Sequence, residues 1–199
     1  MDRYTVFTCC TGDEDDARYL SEFKNRFGDI VEGFLPEYDD SDPLDLSGAQ
    51  VTVVLIGEQT WRSALIDRQI LKSLTPVPRG LVGILLPCYD YPGLSHRATH
   101  GEEHLRATSP RDARFWSHNI PQRLFENVLG EYAVIRPWTE DPKLMAQWIH
   151  EAFEASTKVK PAGLDRPAQL DDNTDLTLGW KGANAPAQTF EGKVNLVGD

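Results

Sequence analysis

Two patterns of apolar residues alternate along the first 156 residues of the chain. Short apolar runs, such as VTVVLIG at 51–57, have the length of a strand and are rich in β-branched residues. A strand that is apolar on both sides is typical of a parallel sheet covered on both faces. Other stretches carry apolar residues three or four positions apart, as an amphipathic helix does. The alternation predicts an α/β domain with a flavodoxin-like parallel sheet and helices on both faces.

The two patterns also predict where the elements lie. The predicted strands are 3–8, 29–35, 51–57, 80–87 and 130–138, and the predicted helices are 13–27, the stretch from EQTW to 74, and 141–156. Asp141 followed by Pro142 suits the start of the last helix, because aspartate caps helices and proline fits the first helical position. Turn-forming residues at 36–48 predict a loop. The mixed region 88–119 predicts a long insertion over the carboxyl edge of the sheet.

The composition changes after about residue 158. Residues 159–199 are rich in Pro, Gly, Asp and Asn and contain scattered apolar residues. The sequence therefore predicts one α/β domain at 1–158 and a C-terminal tail or arm at 159–199. Two alternatives stay open for this segment: a disordered tail, or an extended arm anchored by Leu178, Trp180 and Phe190.

Charge and cysteine content narrow the class of protein. A net charge of −11 argues against a broad electrostatic grip on nucleic acid or on an anionic membrane. The N-terminus does not resemble a secretory signal, and no apolar run approaches the roughly 18 residues of a membrane span. Cys9, Cys10 and Cys88 lack the spacing of a metal site, and the adjacent pair should point to opposite faces of a strand as reduced, buried side chains. We expect a cytoplasmic, metal-free protein.

Several catalytic motifs are missing from the sequence. It contains no G-x-x-x-x-G-K-[ST], no G-x-G-x-x-G after a strand, no G-x-S-x-G and no H-E-x-x-H. These absences argue against P-loop ATPases, the usual dinucleotide dehydrogenases, serine hydrolases and zinc proteases. His96, His100 and His104 are spaced four apart, but Gly101 interrupts them. Two alternatives stay open for these histidines: they are solvent-exposed loop residues, or they bind a metal or a substrate.

The ends of the first and third strands are the expected place for a ligand. Ligands of open α/β sheets lie outside the carboxyl ends of the strands, which directs attention to the turn at 57–61. The candidate binding residues there and after the first strand are Thr8, Cys9, Cys10, Asp13 and Trp61. Asp13 could equally be one of the acids that favour a helix start. Trp61 either forms a core or pocket floor or stacks on a base.

Several segments together resemble a known family. VTVVLIG, the following TWRS at 60–63 and the helix after it look like the TIR-like family, the Toll/interleukin-1-receptor-related domains of bacterial defence systems. The closest branch includes the TIR-like component of the Thoeris antiphage system. Three further segments fit in the same order: RYTVFTCCTGDED at 3–15, GLVGILLP at 80–87 and IPQRLFENVLGEYAVIRPW at 120–138, with recurrent positions at Pro121, Arg123, Asn127, Gly130 and Tyr132. The likeness covers residues 3–156.

The resemblance implies a ligand and a catalytic position. Active family members cleave the N-glycosidic bond of NAD, and some make cyclic ADP-ribose-type signals. Losing nicotinamide leaves an oxocarbenium-like ribose, whose charge a carboxylate offsets. In active relatives this group is a Glu on the central helix, about eight residues after the TW-type pair, and that position here is Gln69. Glutamine keeps the hydrogen bonds without the charge or the basicity. It is either a solvated or capping amide or a ligand contact, and Asn127 is expected to buttress the pocket.

A second departure from the family concerns the segment before the third strand. Relatives usually carry a helix there, whereas DDSDPLDLSGAQ at 39–50 looks too short and too broken by Pro and Gly. Its loss would open one face of the sheet or leave it for a partner.

Three functions follow as hypotheses. The first is a signalling protein of antiphage defence that binds NAD and hydrolyses or cyclises it. The second is a non-catalytic TIR-like pseudoenzyme that binds a nucleotide or a protein such as a defence effector. The third is a flavodoxin-like small-molecule binder with 88–119 as a lid. The resemblance implies no resident cofactor, with NAD as substrate or ligand, and a homo-oligomer, because TIR domains often act by assembling.

Overall fold

The computed structural model describes residues 2–35, 45–87 and 120–169, and the structural statements below concern these residues. The strands are β1 (Thr5–Cys9), β2 (Gly33–Phe34), β3 (Val51–Ile56), β4 (Gly80–Leu85) and β5 (Ala133–Pro137). The helices are α1 (Glu14–Phe27), α2 (Ala64–Leu74), α3 (Gln122–Leu129) and α4 (Pro142–Lys158), with a 3₁₀ turn at Thr60–Arg62. Among these helices, none has the length and apolar character that crossing a bilayer requires.

The five strands form one parallel sheet in the order β2-β1-β3-β4-β5. This order is that of flavodoxin-like folds, and the predicted fold class is confirmed. All six residues of β3 are buried, as the unbroken apolar run at 51–57 predicts for a central strand. β3 pairs with β1 on one side and with β4 on the other.

The sheet separates two hydrophobic cores, because successive side chains of a strand point to opposite faces. Val51, Val53 and Leu55 of β3 belong to the core that α1 and α4 cover. Val54 and Ile56 belong to the core that α2 and α3 cover. The alternation along a single strand therefore assigns each helix of the fold to a face.

Helix α3 is an element that the apolar pattern did not predict. It spans only eight residues, and two of its buried positions are the polar residues Arg123 and Asn127. A pattern search counts such positions as exposed, so the amphipathic spacing is hidden. Pro121 and Gly130 flank the helix, which fits its short length.

Other predicted boundaries shift by a few residues. β1 begins and ends slightly later than predicted, β2 shrinks to two residues, and α4 continues to Lys158. Asp141 caps α4 as predicted, since its carboxylate accepts a hydrogen bond from the Lys143 backbone N–H at 2.9 Å. Three predicted features lie outside the described residues: most of the loop at 36–48, the insertion at 88–119 with its histidines, and the anchors Leu178, Trp180 and Phe190.

The apolar face of α1 is shifted from the one that the spacing of Ala17, Leu20, Phe23 and Phe27 in the sequence predicts. Leu20, Phe23 and Phe27 are buried as predicted, whereas Ala17 is exposed and the neighbouring Asp16 is buried. The Asp16 carboxylate is buried against Gly57, the residue that follows β3.

The close packing of α4 on β4 generates a testable prediction. A Cβ atom added at Gly80 would lie 2.7 Å from backbone atoms of Ala152 and Phe153. Because that obstacle is backbone, we expect Gly80→Ala to lower the free energy of unfolding by about 1–3 kcal/mol. Urea unfolding followed by circular dichroism measures the change.

Gly33 provides the matched control, because a Cβ there would meet nothing within 4 Å. Gly33→Ala should change the free energy of unfolding by no more than about 0.5 kcal/mol. Equal effects of the two substitutions would contradict the packing argument.

Candidate functional site

The helices that follow β1 and β3 cover opposite faces of the sheet. β1 leads into α1, whose Leu20, Phe23 and Phe27 lie in one core, whereas β3 leads into α2, whose Ile66 and Ile70 lie in the other. Neighbouring strands whose helices diverge leave a crevice at their carboxyl ends, where open α/β folds bind ligands. The turns after β1 and β3 are therefore the candidate site.

Asp16 joins these two turns. Its side chain is only 2% exposed, and the Thr11 hydroxyl lies 2.5 Å from its Oδ2 atom. Asp13 is close to the same hydroxyl, with 3.0 Å between Thr11 Oγ1 and Asp13 Oδ1. A Cβ atom at Gly57 would lie 2.1 Å from Asp16 Oδ1, so that only glycine admits the carboxylate at the end of β3. The structure thus brings Thr11, Asp13, Asp16 and Gly57 together at the carboxyl edge.

The position of Asp16 affects its titration. Burial raises the pKa of Asp16 above the usual aspartate value, and the hydrogen bond from Thr11 offsets part of that rise. The carboxyl group therefore holds a proton more readily than an exposed aspartate does. A buried carboxyl group at a ligand-binding edge accepts hydrogen bonds when ionised and donates one when protonated.

Thr60 and Ser63 shape the turn after β3. The Gly57 backbone N–H donates a hydrogen bond to Thr60 Oγ1 at 2.8 Å, and Thr60 is completely buried. Ser63 caps α2 by accepting a hydrogen bond from the Ile66 N–H. Thr60, the first residue of the TW pair, thus stabilises the turn through its side chain. Trp61 is half-buried and lies in the sequence between Thr60 and the cap residue Ser63.

The predicted residues on and after β1 differ in how they could meet a ligand. Thr8 and Cys9 are buried in the sheet, whereas Cys10 is half-buried and Asp13 is exposed. Cys9 belongs to the core under α2 and Cys10 packs against the core under α1, so the prediction of opposite faces is confirmed. Burial raises the pKa of the Cys9 thiol well above its usual value. Of these four predicted residues, Cys10 and Asp13 are therefore the ones with accessible side chains.

Gln69 lies in the interior, which excludes the solvated-amide alternative. It is 3% exposed, and its Oε1 atom is buried without a hydrogen-bond donor among the described residues. One turn further along α2, Ser73 Oγ accepts a hydrogen bond from Thr52 of β3 at 2.7 Å, and residues four apart share a helix face. Gln69 therefore lies on the side of α2 that faces the sheet. In the described part of the chain, no hydrogen bond connects it with Thr11, Asp13 or Asp16.

Two nearby polar residues are engaged elsewhere. Asp67 forms an ion pair with the fully buried Arg123. Arg123 Nε donates to Asp67 Oδ1 and Arg123 Nη2 donates to Asp67 Oδ2, each at 3.0 Å. The Asp67 carboxylate therefore faces α3, and Asp67 is two residues from Gln69, so the two do not share a helix face. Asn127, predicted to buttress the pocket, contacts the Arg123 carbonyl and the backbone of Ala162. Its amide holds the segment after α4 in place.

A cavity of about 520 Å³ lies at the other edge of the sheet, beside the loop between α2 and β4. Arg79 is its buried cation, and its guanidinium donates to the carbonyls of Leu46 at 2.9 Å and Val77 at 2.8 Å. The Arg79 guanidinium thus binds backbone carbonyls of the protein itself. The cavity is also distant from the carboxyl edge of the sheet, where the topology predicts ligand binding. Over residues 2–35, 45–87 and 120–169, no group of three or more His, Cys, Asp and Glu residues could hold a metal ion.

Comparison of the chain with models of protein families, with curated proteins and with solved structures finds no match. The likeness to the TIR-like family therefore depends on the residues quoted above. Sequence reasoning did not single out Asp16 or the Asp67–Arg123 pair. Asp16 is one of four consecutive acids at 13–16, and nothing in that run distinguishes the buried one.

The environment of Asp16 predicts a pH-dependent stability difference. A carboxyl group with a raised pKa in the folded state stabilises the fold below the pKa of the unfolded chain, and that contribution is lost as pH rises through the folded pKa. Asparagine imitates the protonated form at every pH. We therefore expect the wild type to lose stability relative to Asp16→Asn as pH rises from about 3.5 through the raised pKa.

Urea unfolding of both proteins at a series of pH values measures this difference. Asp15→Asn is the control, because it removes the same charge from the same helix turn at an exposed position. A difference between wild type and Asp16→Asn that does not vary with pH would contradict the assignment.

Proposed function

We propose that this chain is a TIR-like protein of bacterial antiphage defence that binds NAD or a related nucleotide without efficient turnover. The site includes the carboxyl edge of β1 and β3 and the buried face of α2 that carries Gln69. The proposal combines the resemblance of residues 3–156, the flavodoxin-like order of the strands and one unusual buried atom. In this reading the protein is a nucleotide-responsive module, and a defence effector is the partner.

The observation that most directly supports the proposal is the Oε1 atom of Gln69, which has no hydrogen-bond donor among the described residues. A buried acceptor without a donor costs about 1–3 kcal/mol, and such atoms are rare enough in native proteins to need an explanation. Ribose hydroxyl groups are donors that would complete this hydrogen bond. The position is also the one at which active relatives of the TIR-like family place their Glu.

The chemistry of an amide favours binding over hydrolysis. Gln69 accepts and donates hydrogen bonds, but it has no charge to offset the positive ribose that forms when nicotinamide leaves. The neighbouring acid Asp67 is paired with a fully buried arginine, Arg123, so its charge is already balanced. Replacement of a group of this kind typically costs about 10²–10⁴-fold in rate.

A signalling enzyme that hydrolyses or cyclises NAD is the second candidate. Asp16 favours it, because this buried carboxyl group lies at the edge where the fold binds ligands. In this alternative, Asp16 rather than the family position provides the negative charge. Loss of turnover in Asp16→Asn would distinguish this candidate from the first.

The unpartnered oxygen leads to a prediction about affinity and stability. Gln69→Met keeps the length of the side chain and removes the buried acceptor. We expect NAD affinity, measured by isothermal titration calorimetry, to fall by about tenfold or more, which corresponds to about one lost hydrogen bond. The free energy of unfolding without ligand should rise by about 1 kcal/mol, because an unsatisfied polar atom has been removed.

Opposite signs of the two effects make misfolding an inadequate explanation for the lost affinity. Gln147→Met, at an exposed position of α4 and on the opposite face of the sheet from α2, is the control and should change neither quantity comparably. If the wild type shows no saturable NAD binding, or if Gln69→Met binds NAD equally well, the proposed site is wrong.

A second prediction concerns the missing charge. At high protein concentration, liquid chromatography should detect little nicotinamide release by the wild type and a gain of at least about 10²-fold in Gln69→Glu. The new carboxylate would face the reacting ribose at the family position. Turnover by the wild type that Asp16→Asn abolishes would instead establish the second candidate.

A further inference from the structure

After α4, the described part of the chain contacts two helices, at Ala162 and at Gln169. We call residues 162–169 the strap. At its start, the Ala162 N–H donates to Asn127 Oδ1 at 2.9 Å, and Asn127 Nδ2 donates to the Ala162 carbonyl at 3.1 Å. At its end, the Gln169 N–H donates to Asp67 Oδ2 at 2.9 Å, and the Gln169 side-chain amide donates to the Arg62 carbonyl at 2.7 Å. The strap therefore crosses from α3 to α2.

Arg123 holds the middle of the strap. This arginine is completely buried, and besides Asp67 it contacts three strap carbonyls, those of Gly163, Arg166 and Pro167. These acceptors are main-chain atoms, as are both strap atoms that contact Asn127. The surface formed by Asp67, Arg123, Glu126 and Asn127, here the α2–α3 groove, thus recognises an extended backbone, as peptide-binding domains do.

Two residues of the strap add sequence specificity. Gly163 has φ = +70°, which L-residues with a side chain rarely adopt, and a Cβ there would lie 2.4 Å from Glu126 Oε2. The Arg166 guanidinium forms an ion pair with the Glu126 carboxylate. The groove therefore selects a glycine followed three residues later by an arginine.

The contacts that hold the strap are of a kind that can be released. Most are hydrogen bonds, whereas Leu164, the large apolar side chain of the strap, is 43% exposed. Without the strap, Arg123 and Asp67 still pair through two hydrogen bonds, so an empty groove leaves neither charge alone. The two apolar cores contain no residue of the strap. Release of the strap is therefore compatible with an intact sheet.

We propose that the α2–α3 groove is a peptide-binding surface with an exchangeable occupant, and that the strap of a second copy of this chain occupies it in trans. The occupant whose fit is demonstrated is this chain's own segment, so a second copy supplies the matching chemistry. In cis the strap has an effective concentration of roughly millimolar, and exchange therefore requires a weakened cis contact or a high protein concentration. Such an exchange of identical elements is a low-cost route to a symmetric dimer.

The first experiment uses the full chain and a fluorescein-labelled peptide of residues 160–169, KPAGLDRPAQ. In the full-length Gly163→Ala variant, the cis strap is strained while the groove is unchanged. Fluorescence anisotropy should show that the peptide binds this variant roughly tenfold more tightly than it binds the wild type, given the cost of a positive φ for alanine. A peptide carrying Gly163→Ala or Arg166→Glu should bind much more weakly to the same protein.

A groove variant completes the design. Asn127→Ala introduced into the Gly163→Ala chain should abolish peptide binding, because both contacts with Ala162 are lost. No binding to the Gly163→Ala chain, or equal binding of native and substituted peptides, would overturn the proposal. Global unfolding of the Gly163→Ala chain by circular dichroism would also overturn it, since the strap would then be a required part of the domain.

The second experiment tests the partner. Isotopically labelled and unlabelled full chains are mixed at high concentration and examined by native mass spectrometry. Mixed dimers that an excess of the 160–169 peptide dissociates are the expected result. Monomers at every concentration, or dimers that the peptide leaves intact, would reject a second copy as the occupant. None of these readouts involves NAD, so this inference and the proposed function can fail separately.

Discussion

Burial of β3 on both faces constrains the rest of this fold. A strand whose six residues are all buried needs a paired strand on each side and a helix layer above and below. Each large apolar side chain that is fully buried contributes about 1.5–3 kcal/mol relative to exposure, so the arrangement is strongly favoured once the flanking elements form. The divergence of α1 and α2 to opposite faces follows from this need, and so does the crevice at the carboxyl edge.

Around this apolar centre lie three buried polar groups on which the two proposals depend. Asp16 is tied to Thr11 and pressed against Gly57, and Arg123 is paired with Asp67 and covered by the strap. Gln69 differs from both, because its side-chain oxygen has no donor in the described part of the chain. Polar groups with partners organise the structure, whereas a buried acceptor without a donor needs an explanation, which the proposed ligand would provide.

Helix α2 connects the two proposed surfaces. One of its sides carries Gln69 toward the sheet, and another carries Asp67 toward α3 and the strap. The strap ends at the Arg62 carbonyl, in the 3₁₀ turn that follows the end of β3. The turn after β3 therefore belongs to the candidate ligand site and also binds the end of the strap.

By itself, the sequence determined the parallel sheet, the helices with apolar spacing, the cap of α4 and the opposite faces of Cys9 and Cys10, because those features depend on neighbours within a few residues. Only the tertiary structure decided which polar residues are buried. Arg123 is 56 residues from Asp67, and Asp67 is 102 residues from Gln169, so no local pattern records these contacts. The same holds for Asp16, since the absence of a side chain at Gly57 admits its carboxylate. Burial of a polar group depends on a partner or a space that the fold brings near, and that proximity exists only once the chain has folded.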